Sequence, residues 1–507
     1  MFSRVYCAAL DAIEAVIVKA EADVSDGLPV FDMVGLLASE VKEAKERVRV
    51  ALKNSGYYLP PKRITVNLSP ADIRKDGTAF DVPIAVAVLS AAGYLSKENI
   101  EKILFVGELS LDGTVNPVNG VLPIVYEAYK QGFLYCMVPK NNYAEALAIK
   151  GIRILPVSNL YDVIRYTEQP DCFSEITDEL KPGNLCREGV RIDEDFSTIV
   201  GQDFARRAVE VAAAGHHNVL LVGPPGAGKT MIAKRIPGIL PDLSERESIE
   251  ITKIYSVAGK LEHKGSLMIH RPFRTPHHTI TLPALVGGGR KAKPGEISLA
   301  SNGVLFLDEL PEFSRAVIEV LRQPLEEKQI CIDRVGTNVV YPANFMLAAA
   351  MNPCQCGFYP DRKKCNCTDA QVKQYRGKVS RPILDRIDIC VEVSALPYTE
   401  WFSGTKQEDS QTIRERVCAA RSIQEKRYRN EKYKTNSQIP SSKIEEYCKL
   451  GKKEKEFVMS AVHKMELSGR GYHRVLKVAR TIADLSGDTE IREVHICEAL
   501  SYRNIEM

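Results

Sequence analysis

The sequence predicts an α/β protein of three domains: a mixed α+β domain, a parallel-sheet core and a helical C-terminal domain. Three observations lead to this prediction. The chain of 507 residues exceeds what one hydrophobic core usually organises. Between about residues 199 and 393, apolar strand-like segments alternate with helical ones, as in a parallel sheet. After Leu396 only helical spacing remains.

Changes in composition place the domain boundaries. Residues 1–167 are predicted to form the α+β domain. Residues 168–195 combine prolines and glycines with many charges, which indicates a linker. Residues 196–394 form the predicted parallel-sheet core, and residues 395–507 form the predicted helical domain.

The spacing of apolar residues predicts the individual elements. Residues 16–24 alternate apolar with charged side chains and residues 64–68 alternate in the same way, so both are predicted strands. Residues 41–52 carry apolar side chains at helical spacing and predict a helix. In the C-terminal domain, residues 413–420 and 475–485 predict two further helices by the same criterion.

The composition is that of an ordinary globular protein, with 45% apolar and 26% charged residues. The longest nearly uncharged apolar stretch, residues 82–95, is shorter than the roughly 18–20 residues that span a bilayer. Asp11 and Glu14 interrupt the apolar N-terminus, unlike a secretory signal. We therefore expect a cytoplasmic protein with no membrane partner. The net charge of +3 is too small to indicate nucleic-acid binding by itself.

The first chemically informative motif of the predicted core is a glycine-rich loop. Residues 218–222 predict a short buried strand that runs into the loop, and a helix follows the loop. In this context the backbone N–H groups and the positive end of the helix bind phosphates, while a lysine adds a full charge and a threonine hydroxyl holds Mg²⁺. The predicted ATP-binding residues are Gly223, Pro224, Pro225, Gly226, Ala227, Gly228, Lys229 and Thr230.

Two further apolar strands end in residues suited to ATP hydrolysis. Residues 304–307 lead into Asp308 and Glu309. In P-loop ATPases the first such carboxylate orders Mg²⁺ and the second can activate the attacking water. Residues 345–351 lead into Asn352, which is predicted to position that water or to sense the γ-phosphate. A turn-forming Asn-Pro pair is the alternative for Asn352.

Four of the thirteen cysteines are clustered after this asparagine. Cys354 and Cys356 are separated by eight residues from Cys365 and Cys367. Four thiolates on a short loop suit tetrahedral zinc, although C-x-C pairs are tighter than the usual C-x₂-C pairs. A structural zinc ion is therefore predicted, and it would stiffen the loop beyond Asn352. A cysteine-rich turn without metal, or a redox-labile pair, is the alternative.

Three segments resemble a known family. Residues 295–309 and 381–388 look like the Mg-chelatase-like branch of AAA+ ATPases. With residues 468–481 the resemblance narrows to the ComM/YifB family, and it covers essentially the whole chain. It implies a AAA+ P-loop core with an inserted hairpin and a C-terminal helical lid. It also implies a homo-oligomeric ring, usually a hexamer, that binds ATP and Mg²⁺ between subunits.

The resemblance assigns roles to two arginines. Arg386 would be the arginine finger that reaches a neighbour's γ-phosphate, where such a charge is worth about 10³–10⁵ in rate. The alternative is an intramolecular partner for Asp385 or Asp388. Arg474 resembles the lid arginine called sensor 2. Two other arginines are close enough to compete for that role: Arg470 and Arg480.

Two basic features are candidates for contacting DNA. Residues 330–341 predict a hairpin that turns near Gly336. An inserted hairpin of this AAA+ branch faces the ring pore, which makes Arg334 a candidate for gripping a phosphate backbone. An ordinary solvated arginine at a turn is the alternative. A second basic cluster, open to the same alternative, comprises Arg271, Arg274, His277 and His278.

The first domain resembles the Lon-type peptidase domain, with its ribosomal-S5-like fold, at residues 61–68, 75–77 and 107–113. Those peptidases place a serine two residues after the Lys-Asp-Gly triplet and use a lysine farther along the chain. Here these positions hold Ala79 and Leu122, and neither can act as nucleophile or base. The domain is therefore predicted to be an inactive scaffold or binding platform.

The expected function follows from the family resemblance. It implies a ring ATPase acting on branched or single-stranded DNA, by branch migration or helicase action, in homologous recombination or natural transformation. The alternative is an Mg-chelatase-type ATPase that drives metal insertion into a porphyrin, because the ATPase core is shared. The Lon-like domain is absent from the usual chelatase ATPase subunit, which argues against that alternative. Ala79 and Leu122 disfavour an ATP-dependent protease.

Overall fold

The computed structural model of the protein describes residues 1–175, 195–261, 267–289, 292–334, 337–395 and 407–503. The predicted linker, 168–195, therefore lies mostly outside the described residues. The α/β prediction is confirmed, because a mixed sheet with helices is followed by a parallel sheet and then by helices. Within the described ranges, no helix has both the length and the apolar character that crossing a bilayer requires.

The N-terminal domain is built on a mixed sheet. Its strands are β1 (Phe2–Asp11), β2 (Glu14–Ser25), β3 (Phe31–Val34), β4 (Arg63–Ser69), β5 (Ile103–Phe105), β6 (Glu108–Leu109), β7 (Val115–Asn116), β8 (Tyr135–Pro139) and β9 (Arg153–Val157). The main sheet has the order β3-β4-β2-β1-β5-β8-β9. Its β4-β2-β1 part is antiparallel and its other pairs are parallel. The two strands predicted in this domain are β2 and β4.

A completely buried helix, Asp81–Ala91, lies at the centre of this domain. Arg47 donates hydrogen bonds of 2.7 and 2.9 Å to the carboxylate of Asp81, which gives the buried charge the partner it requires. The predicted helix at 41–52 is divided in two by Glu43. The helices of the domain, including 3₁₀ turns, are Ser39–Lys42, Ala44–Asn54, Asp81–Ala91, Ile100–Lys102, Val121–Lys130, Lys140–Asn142, Tyr143–Ala146, Leu160–Glu168 and Pro170–Glu175.

The second domain contains a parallel sheet and a hairpin. Its strands are β10 (Val219–Val222), β11 (Phe273–Arg274), β12 (Gly287–Gly288), β13 (Lys293–Pro294), β14 (Val304–Leu307), β15 (Gln329–Arg334), β16 (Thr337–Pro342), β17 (Met346–Met351) and β18 (Ile389–Glu392). Five of them form a sheet in the order β11-β14-β17-β10-β18, with every neighbouring pair parallel. The predicted hairpin is β15–β16.

Both faces of the parallel sheet are covered, which explains its continuous apolar strands. In β10, Val219 and Leu221 belong to one hydrophobic core, whereas Leu220 and Val222 belong to another. The helices of this domain, including 3₁₀ turns, are Phe196–Thr198, Asp203–Gly215, Lys229–Ile239, Glu245–Ala258, Leu282–Val286, Glu296–Leu299, Leu310–Glu312, Arg315–Val320, Arg322–Glu327, Asp369–Arg376 and Arg381–Leu384.

The C-terminal domain, the lid, is helical. Its described helices and turns are Ser410–Arg427, Asn436–Gln438, Ser441–Lys443, Ile444–Tyr447, Lys452–Lys464, Gly469–Leu485 and Glu493–Ser501. Their apolar residues share one core with a face of the parallel sheet. Asp484, whose side chain is completely buried, joins lid segments by accepting hydrogen bonds from Arg427, Arg480 and Asn436.

The N-terminal domain docks on one helix of the second domain, Glu245–Ala258. From that helix, buried Lys253 pairs with Glu14 at 2.8 Å. The hydroxyl of Ser256 donates to Glu145, and its carbonyl accepts from the N–H of Gly120 at 3.2 Å. Beside this contact, a cavity of about 870 Å³ has walls from both domains. We call it the interdomain cavity.

The buried carboxylate of Asp484 provides a test of how the lid is held together. We expect Asp484→Ala to lower the free energy of unfolding by about 3–5 kcal/mol, because it leaves buried guanidinium groups without their partner. Urea unfolding followed by circular dichroism measures this change.

An exposed ion pair supplies the control. Glu46 pairs with Arg49 at 2.8 Å, and the two side chains are 58% and 62% exposed. Glu46→Ala should change the unfolding free energy by about 1 kcal/mol or less. Equal effects of the two substitutions would show that the Asp484 network does not stabilise the lid.

Candidate nucleotide-binding site

The predicted phosphate loop joins β10 to the helix Lys229–Ile239. Gly226 and Gly228 have φ angles of 76° and 91°, which lie in the left-handed region that favours glycine. A Cβ atom at Gly223 would lie 2.1 Å from the carbonyl oxygen of Val393, so a larger residue does not fit there. The loop therefore has the open backbone and the adjoining helix start that phosphate oxygens require.

The ammonium group of Lys229 has three acceptors. It donates to the carbonyl oxygens of Gly223 at 2.6 Å and Pro224 at 2.9 Å, and to Oδ1 of Asn352 at 3.0 Å. Burial lowers the pKa of Lys229, and two nearby carboxylates oppose that shift. The structure thus places the predicted phosphate-binding lysine in direct contact with the predicted sensor.

Thr230 and Asp308 form the second half of the site. Oγ1 of Thr230 donates to Oδ2 of Asp308 at 2.7 Å. Hydroxyl and carboxylate oxygens at one point are the ligands that Mg²⁺ takes in nucleotide sites. Together with the phosphate loop, these residues fit a nucleoside triphosphate and its magnesium ion.

Glu309 extends from the same edge of the sheet. Its φ of 52° is unusual for a residue with a side chain, and such backbone strain clusters at functional sites. Its side chain is 57% exposed, and Oε2 lies 3.6 Å from Nδ1 of His278. The sequence grouped His278 with a basic cluster and gave no sign of this contact.

Gln202 is a further residue that the sequence did not reveal. Its side-chain amide donates to the carbonyl oxygens of Ser394 at 2.6 Å and Ala227 at 3.4 Å. It thereby ties the phosphate loop to the segment that follows β18. A neutral side chain outside any periodic pattern carries no sequence signal for such a role.

Arg386 and Arg474 lie at the opposite edge of the parallel sheet. The carbonyl oxygen of Arg386 accepts from the side chain of Asn218, the residue before β10, at 2.8 Å. Arg474 donates to the carbonyl oxygen of Ile387, before β18, at 3.0 Å. The four residues of β10 separate this edge from the phosphate loop by about 13 Å. Within one subunit the two arginines are therefore remote from Lys229.

In the part of the chain that the structure describes, the guanidinium group of Arg386 pairs with a residue of the same chain, but not with Asp385 or Asp388, the partners that the sequence suggested. It pairs with Glu326 at 2.5 Å and donates to the carbonyl oxygen of Pro382 at 2.7 Å. Among the described residues it forms no ion pair with Asp385 or Asp388. Glu326 is 57% exposed, so this pair is accessible from solvent.

Both arginines line a basic cleft of about 640 Å³ between the core and the lid. Arg470 lines the cleft too, whereas Arg480 is 3% exposed, pairs with Asp484 and is not among the residues that line the cleft. We call this feature the basic cleft; its cationic lining includes Lys328, Arg386, Lys432, Arg470, Arg474 and Lys477.

Buried Asp388 holds the floor of the basic cleft. Burial alone would raise its pKa, but the hydrogen bond with His217 and the charges of Arg474 and Lys477 hold the pKa well below its ordinary value. Oδ1 of Asp388 lies 3.7 Å from Nη1 of Arg474. The carboxylate is thus ionised at neutral pH and holds the lid arginine against the core.

The second basic cluster is largely committed to internal contacts. Arg274 donates two hydrogen bonds to Glu296, at 2.6 and 2.9 Å. Arg271 donates to the carbonyl oxygens of Pro241 and Asn302, each at 2.6 Å. The guanidinium groups of these two arginines are therefore held by partners within the fold, and their contact with DNA stays a prediction. Arg334 ends β15, and its side chain lies outside the described residues.

The two positions where a Lon-type peptidase has its serine and lysine hold apolar side chains. Ala79 lines the interdomain cavity. Leu122 is completely buried, and its N–H donates to Glu145 at 3.0 Å. Neither side chain offers a nucleophile or a base.

The four clustered cysteines come together in space. Their Sγ atoms all lie within 4.8 Å of one another, a geometry that can hold a metal ion. Cys354 and Cys365 are buried, while Cys356 and Cys367 are partly exposed.

Family models match most of the chain. The model described as magnesium chelatase, subunit ChlI, matches residues 195–401, which contain the phosphate loop and the carboxylates. The model described as subunit ChlI of Mg-chelatase matches residues 20–142. The C-terminal model of the same subunit matches residues 407–503.

Full-length relatives narrow the assignment. The chain is 42% identical to the competence protein ComM of Haemophilus influenzae over 98% of this chain and 97% of that protein. It is 41% identical to the YifB protein of Escherichia coli over 99% and 97%. A magnesium-chelatase 38 kDa subunit of Cereibacter sphaeroides is 26% identical over 31% of this chain and 52% of that protein. The chain therefore belongs to the ComM/YifB family of Mg-chelatase-like AAA+ ATPases.

Proposed function

We propose that this protein hydrolyses ATP between the subunits of a ring and uses the free energy to move branched or single-stranded DNA. One observation supports the intersubunit site above all. The phosphate loop lies at the carboxyl edge of the parallel sheet, and the two arginines suited to the transition state lie at its amino edge. A neighbouring subunit can supply them to the phosphates, whereas the same subunit cannot.

In this proposal one subunit binds and cleaves the nucleotide. The phosphate loop and Lys229 bind the phosphates. Thr230 and Asp308 would hold Mg²⁺, which would supply positive charge to neutralise the charge that develops on the phosphate oxygens. Glu309 orients and activates the attacking water. Asn352, bonded to Lys229, senses the γ-phosphate.

The neighbouring subunit completes the reaction. Its Arg386 leaves Glu326 and stabilises the negative charge of the transition state, and its Arg474 supports that contact from the basic cleft. Such an interface joins two different surfaces and closes into a ring when the rotation between subunits permits. A hexamer is the ring size that the family resemblance favours.

Similarity along the full chain favours DNA as the substrate of the motor. The relative named as a competence protein matches 98% of this chain, whereas the chelatase subunit matches 31%. A family model with a chelatase description also matches residues 20–142, so the N-terminal domain does not by itself exclude a chelatase role. That role remains the second candidate, and the DNA experiment below distinguishes the two.

The magnesium site is tested at Thr230. Thr230→Ala removes the hydroxyl that lies 2.7 Å from Asp308. In the presence of Mg²⁺, we expect the affinity of the Thr230→Ala protein for ATP to fall to the value that the wild-type protein shows in EDTA. Hydrolysis should fall by about 100-fold, the order of loss expected for a misplaced reacting group. Thr230→Ser, which keeps the hydroxyl, is the matched control. If ATP binding by the Thr230→Ala protein depended on Mg²⁺ as strongly as in the wild-type protein, the Thr230 hydroxyl would not be a ligand of the ion.

The intersubunit site is tested by mixing two inactive variants. Lys229→Ala should lose nucleotide binding, and Arg386→Ala should lose about 10³–10⁵ in hydrolysis rate. Co-expressed in equal amounts, the two variants should form mixed rings. Each interface takes the phosphate loop from one subunit and the arginine from the next. In a random mixture, about a quarter of the interfaces therefore join an intact loop to an intact arginine. The ATPase rate of the mixture should recover accordingly. Activity no greater than the sum of the separate variants, in rings confirmed to be mixed, would exclude Arg386 as a group supplied by the neighbour.

The DNA motor is tested on a three-stranded junction with purified protein and ATP. We expect ATP-dependent displacement of one strand and faster hydrolysis in the presence of the junction. Glu309→Gln is the control, since it should bind ATP and junction without displacing the strand. Hydrolysis that responds to a porphyrin with chelatase partner subunits, and not to DNA, would support the second candidate.

A further inference from the structure

The sulfur atoms of the cysteine cluster are arranged around a single point. Sγ of Cys354 lies 3.3 Å from that of Cys356 and 3.7 Å from that of Cys365, and the last two sulfurs are 3.5 Å apart. A tetrahedral zinc ion with Zn–S bonds of about 2.3 Å separates its sulfur ligands by about 3.8 Å. The cluster, with all four sulfurs within 4.8 Å, has the dimensions of a one-metal site.

We propose that Cys354, Cys356, Cys365 and Cys367 bind one structural zinc ion, and that the loop tied by this ion braces the phosphate loop. The first part is independent of the function proposed above. The second part rests on the nucleotide site of that proposal. Zinc suits four thiolates in a closed tetrahedral site, and the sulfurs lie too close together to surround a cluster of several irons.

The loop needs the metal because it has little hydrophobic core. Among the described residues, its separate cluster of buried side chains consists of Cys354, Cys365 and Val372. Two of these are proposed ligands, so the apolar contribution is small. Short segments without a sufficient core are commonly held by metals or disulfides. Here four thiolates around zinc would replace the missing core.

The segment that carries the four cysteines, residues 354–367, touches the nucleotide site directly. Gly357, between the two cysteine pairs, has a φ of 89°, and a Cβ atom there would lie 2.5 Å from Cδ of Pro225. The same atom would lie 3.8 Å from Cγ of Asn352. The loop is therefore packed against both the phosphate loop and the residue that accepts from Lys229.

A second contact anchors the start of the loop. Nε of Arg376 donates to the carbonyl oxygen of Pro353 at 3.0 Å, and Pro353 joins Asn352 to Cys354. The guanidinium groups of Arg376 and Arg362 lie 5.2 and 5.1 Å from the centroid of the Tyr359 ring. A zinc ion that orders this loop would thus also restrain Asn352, through the single residue Pro353. It would restrain the phosphate loop through the contact of Gly357.

Metal analysis tests the site. We expect purified full-length protein to contain about one zinc per chain by plasma mass spectrometry, as four thiolate ligands imply. Cys365→Ser should lose this zinc. Cys418→Ser, at a cysteine on the lid helix Ser410–Arg427, should retain it. Protein without metal, or with iron in place of zinc, would overturn the proposal.

The bracing contact between the cysteine-bearing loop and the phosphate loop is tested by two glycine substitutions, neither of which removes a cysteine. Gly357→Ala should keep its zinc but weaken binding of a fluorescent ATP analogue by about tenfold, because its methyl group pushes on Pro225; tenfold corresponds to about 1.4 kcal/mol. Gly56→Ala is the matched control, since Gly56 has a φ of 88° and no described residue other than its chain neighbours lies within 4 Å of the place that its new methyl group would take.

Equal nucleotide affinities of the Gly357→Ala and Gly56→Ala proteins would overturn the brace. The measurement reports binding and requires no hydrolysis. Failure of the proposed motor would appear as absent ATP turnover in the wild-type protein, while failure of the brace would appear as unchanged affinity in Gly357→Ala. The two failures are therefore distinguishable.

Discussion

The parallel direction of the strands in the second domain is the constraint on which the candidate site depends. Because β10, β14 and β17 run the same way, their carboxyl ends meet at one edge of the sheet. That edge brings Lys229, Asp308 and Asn352 together from distant parts of the sequence. The same direction gathers the starts of β10 and β18 at the other edge, where the basic cleft lies. Strand direction thus separates the phosphate-binding groups from the arginines.

The sequence predicted the features that local patterns encode. β10, β14 and β17 are buried on both faces, so they appear as unbroken apolar runs, and each is followed at once by chemically informative residues. Helical spacing likewise located Ser410–Arg427 and Gly469–Leu485. The prediction was less accurate at 41–52, where the single predicted helix is two, because apolar spacing continues across the interruption at Glu43. The domain boundaries remain predictions.

Contacts between distant residues could not be predicted from local patterns. The sequence offered Asp385 and Asp388 as partners for Arg386 because they are its neighbours, whereas the structure brings Glu326 to it. Similarly, the sequence groups Arg271 and Arg274 in one basic cluster and does not reveal that both donate hydrogen bonds to internal acceptors. Each of these contacts depends on how the sheet and its insertions pack, which no single segment specifies.

The interdomain cavity joins the two domains at a place separate from the nucleotide site. One wall carries Ala79 of the N-terminal domain, and the other includes Tyr341 of the hairpin strand β16. Because residues of both domains line it, its volume depends on how the N-terminal domain is seated on the second domain. None of the residues 223–230 belongs to the lining, so the cavity and the phosphate loop are filled independently of each other.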